Sequence, residues 1–355
     1  MGDVCGTMAS VQESIPGRTH RPATQDDVAQ KVGVSRALVS LAFRGAPGVS
    51  EESRRTILEA ARVLGYRHNV AAADLATKTR STIGLYLLDF RNEVYADVFR
   101  GVRDALERSG NRTILAVSDA DEPADQRAVD SLVEARVGVI IAATLMLPDV
   151  EARALAQTVP VVSVARKVPG VDCVYADDQA GAAAATSYLL DLGHRRIAHI
   201  TGIEYEGHQL RRRAYEAAMA DAGLRPQILV ARGYSQDAAE RTARVVLESA
   251  DRPTAVFAHN DEMALGVREA AHSLGLRIPQ DLSLIGYDNS RVARLHGIDL
   301  TSVDQHARLL GREAGAAALA RMRHKNGPLL DARHKPDLVV RGSTARCAPR
   351  SLKRP

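Results

Sequence analysis

Between Thr24 and Phe43 the chain reads TQDDVAQKVGVSRALVSLAF, two short helical patterns separated by a turn that contains Gly33. A small residue at such a turn lets two helices cross closely, and in a helix-turn-helix the second helix enters the major groove of DNA. The chemistry implied is contact with base edges and phosphates. An αα-hairpin of any helical domain shares this spacing, so charge decides between the two. From Arg18 to Arg80 eleven Lys and Arg stand against six Asp and Glu, a net +5, whereas the whole chain carries +4. A basic head on a near-neutral body favours DNA. Catalytic patterns are missing: there is no P-loop, GxSxG elbow, HExxH pair or well-spaced metal cluster, and Thr201-Gly202 to Gly207 gives no GxGxxG. His194, within Leu192-Gly193-His194-Arg195-Arg196, falls in a tight helix-to-strand turn and reads as structural. Cys5, Cys173 and Cys347 are too far apart for a metal knuckle or a CxxC pair and cannot complete a disulfide framework. A reducing cytoplasm fits that pattern, and no cofactor is implied.

These residues need elements to hold them. Thr24 is a good N-cap with Asp26 and Asp27 in the positive first turn, and Val28, Ala29 and Val32 recur at helical spacing. Ser35 caps a second helix running to about Phe43, with Val39 and Ala42 inward. Ser50 caps a third, whose Ile57, Leu58, Ala61 and Leu64 form a stripe and whose Gly65 supplies the stop. Asn69 to Thr77 is Ala-rich and short for a helix standing alone, and Lys78 to Thr82 is a polar linker. From Ile83 onward apolar strands alternate with amphipathic helices. The strand candidates are Ile83–Leu88, Thr113–Val117, Val137–Ala142, Val161–Val164, Val174–Ala176, Ile197–Thr201, Ile228–Ala231, Ala255–Ala258 and Leu282–Gly286. Such strands between helices indicate parallel sheets covered on both faces. The rhythm runs to about Ser343, which suits two doubly wound lobes. The length of 355 residues allows two or three domains, and 45% hydrophobic with 25% charged residues is ordinary for a globular protein. The longest apolar run, around Val137 to Leu147, is too short to span a membrane, and the first 20 residues hold no apolar core of a secretion signal.

Motifs along the chain give a more specific reading. DVAQKVGVS (Asp27–Ser35), VSEESRRTILEAARVLGY (Val49–Tyr66), LGHRRIAHITG (Leu192–Gly202), RPTAVFAHNDEMALG (Arg252–Gly266), LGLRIPQDLSLIGYDN (Leu274–Asn289) and LTSVDQ (Leu300–Gln305) resemble, in order, the LacI/GalR family of bacterial transcriptional regulators. The resemblance covers roughly residues 23 to 344. It implies an N-terminal all-α helix-turn-helix headpiece, a hinge helix, and an α/β core of two doubly wound parallel-sheet lobes like those of periplasmic binding proteins, joined by three crossovers. The expected organisation is a disordered tail over 1–22, the helix-turn-helix domain over 23–67, hinge helix and linker over 68–82, a two-lobed effector-binding and dimerisation domain over 83–344, and a basic tail over 345–355.

Residue by residue, the resemblance places Thr24, Ser35, Arg36, Ala37, Ser40, Leu41, Arg44, Asn69 and Leu75 against DNA. Arg36 and Ala37 take the two positions that face base edges, where Arg can fork onto guanine O6 and N7 and Ala can touch a thymine methyl. Leu75 matches the apolar wedge that enters the minor groove. The hinge departs from the family pattern, with Ala73 and Asp74 before the wedge, and Leu38 and Leu41 replace the usual Thr and Arg. In the core, Asp89, Arg166, Arg211, Asn260, Asp288 and Gln305 are expected to face an effector. Asn260 and Asp288 stand at the carboxyl ends of strands, where parallel sheets present ligands. Asp89-Phe90-Arg91-Asn92-Glu93-Val94-Tyr95 lacks the family's Pro and Phe, and Ala165 precedes Arg166 where the family has Asp, which counts against a standard hexose. The expected function is a cytoplasmic, non-enzymatic repressor that binds a palindromic double-stranded DNA operator as a homodimer, with a tetramer also open to it. It is controlled by a small-molecule effector, a sugar, polyol or related polar metabolite, in the interlobe cleft, and it makes no use of a membrane. The rival readings are the same regulator controlled by a protein partner or by no ligand, a solute-binding protein, and an α/β hydrolase.

Overall fold

Thr24 starts the first helix through a reciprocal capping box: its Oγ1 accepts from the Asp27 amide at 3.3 Å while its own amide donates to Asp27 Oδ2 at 2.7 Å. Helix α1 (Gln25–Val32) ends where Gly33 takes a φ of 77°, a conformation that costs glycine nothing. Ser35 opens α2 (Arg36–Phe43) by accepting from the Leu38 amide, and Ser50 opens α3 (Glu51–Leu64) by accepting from the Ser53 amide. Val28, Ala29, Val39, Ala42, Ile57, Ala60 and Ala61 form the core of this three-helix unit. Arg54 on α3 donates to the carbonyls of Ala42 and Ala46 at 3.0 and 3.1 Å, tying the end of α2 and the turn after it to α3. These contacts come from a computed structural model that describes residues 21–67, 80–118, 126–203 and 209–347. The expected hinge helix, the greater part of the expected N-terminal tail and residues 348–355 lie outside the described residues.

The chain divides into two units, Met1–Lys78 and Thr79–Pro355. The second holds two six-stranded sheets, one per lobe. In the N-terminal lobe, β1 (Thr82–Leu87), β2 (Arg112–Val117), β3 (Val139–Ala143), β4 (Val161–Val164), β5 (Asp172–Ala176) and β11 (Asp331–His334) take the order β11-β5-β4-β3-β1-β2, all parallel. In the C-terminal lobe, β6 (Ile197–Thr201), β7 (Gln227–Val230), β8 (Ala255–Ala258), β9 (Ser283–Tyr287), β10 (Thr301–Asp304) and β12 (Asp337–Val339) take the order β12-β10-β9-β8-β6-β7, with β12 alone antiparallel. Strands such as β3 and β9 are buried along their whole length because helices cover both faces.

The covering helices are α4 (Val94–Leu106), α5 (Gln126–Glu134), α6 (Asp149–Thr158), α7 (Asp178–Asp191), α8 (Leu210–Asp221), α9 (Gln236–Leu247), α10 (Asp261–Ser273) and α11 (Ala307–Arg323). The chain passes between lobes three times: from β5 to α7, from β10 to α11, and from β11 to β12. Helix α11 packs along α4 so closely that a Cβ on Gly311 would come within 2.1 Å of the Val98 carbonyl. All nine expected strands are present with small shifts at their ends. Strands β10 to β12 were not anticipated, because TSVD, DARH and DLV are short and largely polar and lack the apolar run by which the others are recognised. Among the described residues no helix is long and apolar enough to cross a membrane.

Candidate functional site

On the headpiece, Arg36, Ala37 and Arg44 are exposed along α2, while Ser40 and Leu41 are half-buried. Leu38 packs against the helical core and Leu41 is not among the residues that do, so Leu41 stays on the outward side. Arg36 has a loose ion pair with Asp26 at 3.9 Å, both side chains mostly in solvent. Arg44 folds its Nε back to the Ser40 carbonyl at 3.3 Å. The hydroxyls of Thr24 and Ser35 act as helix caps. Asn69 and Leu75 lie outside the described residues.

In the second unit the carboxyl ends of the strands converge on one cavity between the lobes, with about 80 Å³ of free space. Asp89 follows β1, Thr144 follows β3, Ala165 follows β4, Asn260 follows β8, Asp288 follows β9 and Gln305 follows β10, and all six line it. The strand ends are bent sharply to do so. Thr144, Ala165 and Asp288 have φ of 60°, 63° and 104°, a region that side chains disfavour, and such strain concentrates at ligand sites.

Asp288 is the centre of the polar network. Its Oδ1 accepts from Gln305 Nε2 at 2.6 Å, and its Oδ2 accepts from Asn92 Nδ2 of the other lobe at 3.0 Å. Burial pushes its carboxyl up to about 6, with the Arg211 charge and the two amide donors working the other way. Asp261 accepts from the Ser302 hydroxyl at 2.6 Å and the Ser290 amide at 2.8 Å, and burial, followed by the charge of Asp288, pushes it up to about 7. A Cβ on Gly286 would strike Asp261 Oδ1 at 2.1 Å, so only glycine fits beneath this pair.

Arg211 is largely but not fully enclosed and is held from three directions. Nε donates to Asp178 Oδ1 at 3.0 Å, Nη1 donates to the His259 carbonyl at 2.6 Å, and the guanidinium lies 3.6 Å from the Tyr287 ring centroid. Asp89 accepts from Arg91 through both oxygens, at 2.7 to 3.1 Å. Asn260 lines the cavity, but its Oδ1 accepts from the Met263 amide at 2.8 Å as the N-cap of α10.

Arg166 corrects the expectation placed on it. It is buried inside the N-terminal lobe and does not line the cavity, and its Nη1 donates to the carbonyls of Leu145 and Leu147 while Nη2 pairs with Asp149. With Ala165 in place of the family's acid, the guanidinium serves the loop after β3 instead.

Sequence reasoning passed over Tyr95, Asp178, Tyr234, His259 and Glu262, which also line the cavity. Asp178, two residues past β5 and first in its helix, carried the same strand-end signal as Asp288. The others sit on helices and loops with no period to mark them. His194 is structural as expected: Nδ1 bonds the Thr254 hydroxyl, and Nε2 lies 3.1 Å from both the Ser283 hydroxyl and the Ala345 carbonyl. Among the described residues no three His, Cys, Asp or Glu are grouped as a metal ion would require.

Comparison with known proteins follows the same division. Residues 24–69 match the family described as bacterial regulatory proteins, lacI family, and residues 186–344 match a periplasmic binding protein-like domain. Catabolite control protein A of Priestia megaterium is 34% identical over 289 residues, covering 79% of this chain and 86% of that protein. The HTH-type transcriptional regulator GalR of Escherichia coli K12 is 30% identical over 329 residues, covering 91% and 96%. The crystal structure of the lac repressor dimer bound to operator and the anti-inducer ONPF superposes with a TM-score of 0.77 at 25% identity, over 92% of this chain and 100% of that one.

Proposed function

The chain belongs to the lacI family of bacterial regulatory proteins and is a DNA-binding transcriptional regulator, and from that premise we propose that it is a cytoplasmic repressor whose hold on a palindromic operator is set by a small polar effector between its lobes. The observation that carries this reading is the shared cavity. Asp89, Asn92 and Tyr95 come from one lobe, Arg211, Asn260 and Asp288 from the other, and Asn92 and Asp288 already touch across it. A ligand that bridges such groups favours one lobe arrangement, and it can change DNA affinity only through that unequal preference.

At the DNA end, Arg36 and Ala37 read base edges, Ser40, Leu41 and Arg44 flank them, and Thr24, Ser35 and Asn69 fix the headpiece on the backbone. The Leu75 side chains of two protomers enter the minor groove at the operator centre. Two sheet edges support a homodimer. Strands β2 and β7 end their sheets, and Ile114, Leu115 and Val230 on them, with Val245 on α9, are large apolar side chains left exposed.

The experiment is operator binding, with the operator chosen from a random pool, measured with and without candidate effectors in wild type and Asp288→Asn. The variant keeps the shape of the site and removes a charged hydrogen-bond acceptor worth about 1.5–3 kcal/mol. The effector concentration giving half-response, read against the variant's own effector-free affinity, therefore rises about ten-fold or more. An unshifted response in the variant places the effector elsewhere.

A further inference from the structure

The charges around the cavity do not balance. Among the described residues Asp89, Asp178, Glu262 and Asp288 line it, against Arg91 and Arg211. Both arginines are tied to carboxylates, Arg91 to Asp89 at 2.7 Å and Arg211 to Asp178 at 3.0 Å. Asp288 and Glu262 have no ion-pair partner among the described residues; Asp288 receives only the neutral amides of Asn92 and Gln305. Aromatic faces accompany the surplus acid. Tyr95 from one lobe and Tyr234 from the other line the same space, with the Tyr234 ring 4.9 Å from that of His259. Carboxylates beside aromatic rings are the surroundings that an ammonium group prefers. An anion would meet a lining with two more carboxylates than guanidiniums, and a neutral sugar would leave that surplus unbalanced. The free space of about 80 Å³ is narrow, so the guest is small.

Resting on the reading that this cleft is the effector site, we propose that the effector is a small hydroxylated amine, its ammonium drawn by the carboxylate surplus to which Asp288 and Glu262 contribute and its carbon face set against the tyrosines that line the cavity.

Calorimetry and thermal melting of the full-length protein at neutral pH test this with matched pairs that differ in charge: D-glucosamine against D-glucose, and putrescine against 1,4-butanediol, with D-gluconate as the anion. The expected result is that an amine binds about ten-fold or more tightly than its neutral counterpart, one charge-assisted hydrogen bond being worth at least that factor. That preference is lost in Asp288→Asn/Glu262→Gln. Equal or tighter binding of a neutral or anionic member overturns the cation while leaving the cleft as the effector site. An amine preference that persists in the double variant also overturns it, because the charge is then read elsewhere. If no member of the set binds, the cation is overturned. If in addition operator affinity is indifferent to the whole set, the reading of the cleft falls with it.

Discussion

A carboxylate as deeply enclosed as Asp288 holds its proton to a higher pH in the folded protein, about 6, than at its ordinary value of 3.8. Between those two pH values the folded state binds more protons than the unfolded one, so this group's contribution to stability falls as pH rises through the window. Asp288→Asn removes the titration. Relative to wild type, the variant should be more stable at pH 8 than at pH 5 by about 1.4 kcal/mol, because only the one unit between pH 5 and the folded value of about 6 falls in that interval and each pKa unit is worth about 1.4 kcal/mol. Urea unfolding at the two pH values measures it, and an identical difference at both would show that folding does not raise the Asp288 pKa. Arg36 supplies a second prediction at this scale. Its exposed guanidinium can form two hydrogen bonds to one guanine, so Arg36→Ala should cost about 1–3 kcal/mol and relax preference at one base pair per half-site. Selection of operators by the variant distinguishes this from a uniform loss over all sequences, which would mark a phosphate contact.

At the scale of elements, α2 depends on its neighbours for its ends. Eight residues are too few to hold as an isolated helix, and α2 is fixed by Ser35 at one end and by Arg54 of α3 at the other. Arg54→Ala removes the side-chain donor that the Ala42 and Ala46 carbonyls share and should cost about 1–3 kcal/mol. Hydrogen exchange over residues 36–46 of the full chain should then quicken about ten-fold or more, since 1.4 kcal/mol is a factor of ten in an opening equilibrium. Unchanged exchange would mean that the helical core alone holds α2.

For the two-lobed unit as a whole, closure is latched at the start of α4. Glu93 Oε1 accepts from Arg291 Nε and Nη2 at 3.1 and 3.0 Å, Oε2 accepts from the Val292 amide at 3.1 Å, and the neighbouring Asn92 reaches Asp288. Glu93 stands where the family pattern has proline, so this chain adds an interlobe contact of its own. Arg291 is largely exposed, and its ion pair is worth no more than about 1 kcal/mol. Removing the Glu93 contacts with Glu93→Ala, a residue outside the cavity lining, should shift the lobes toward an open arrangement and weaken a closure-dependent ligand by the same factor. Small-angle scattering would report a larger radius of gyration without ligand; an unchanged curve would show that the three crossovers alone set the lobe angle.

The chain's local order was legible in the amino-acid sequence. Helix caps at Thr24, Ser35 and Ser50, stops at Gly33 and Gly65, and nine strands follow from hydrogen-bonding capacity, backbone freedom and apolar runs, all properties of neighbouring residues. Asn260 and Asp288 were legible as strand ends. What the cleft contains was decided by tertiary structure. Glu262 and Tyr234 are remote in sequence from Tyr95, and only the threefold passage between lobes brings them to one cavity. Arg166 shows the converse. Its place after a strand pointed to a ligand, but burial left its guanidinium needing acceptors, and the nearest were the carbonyls of Leu145 and Leu147 within its own lobe.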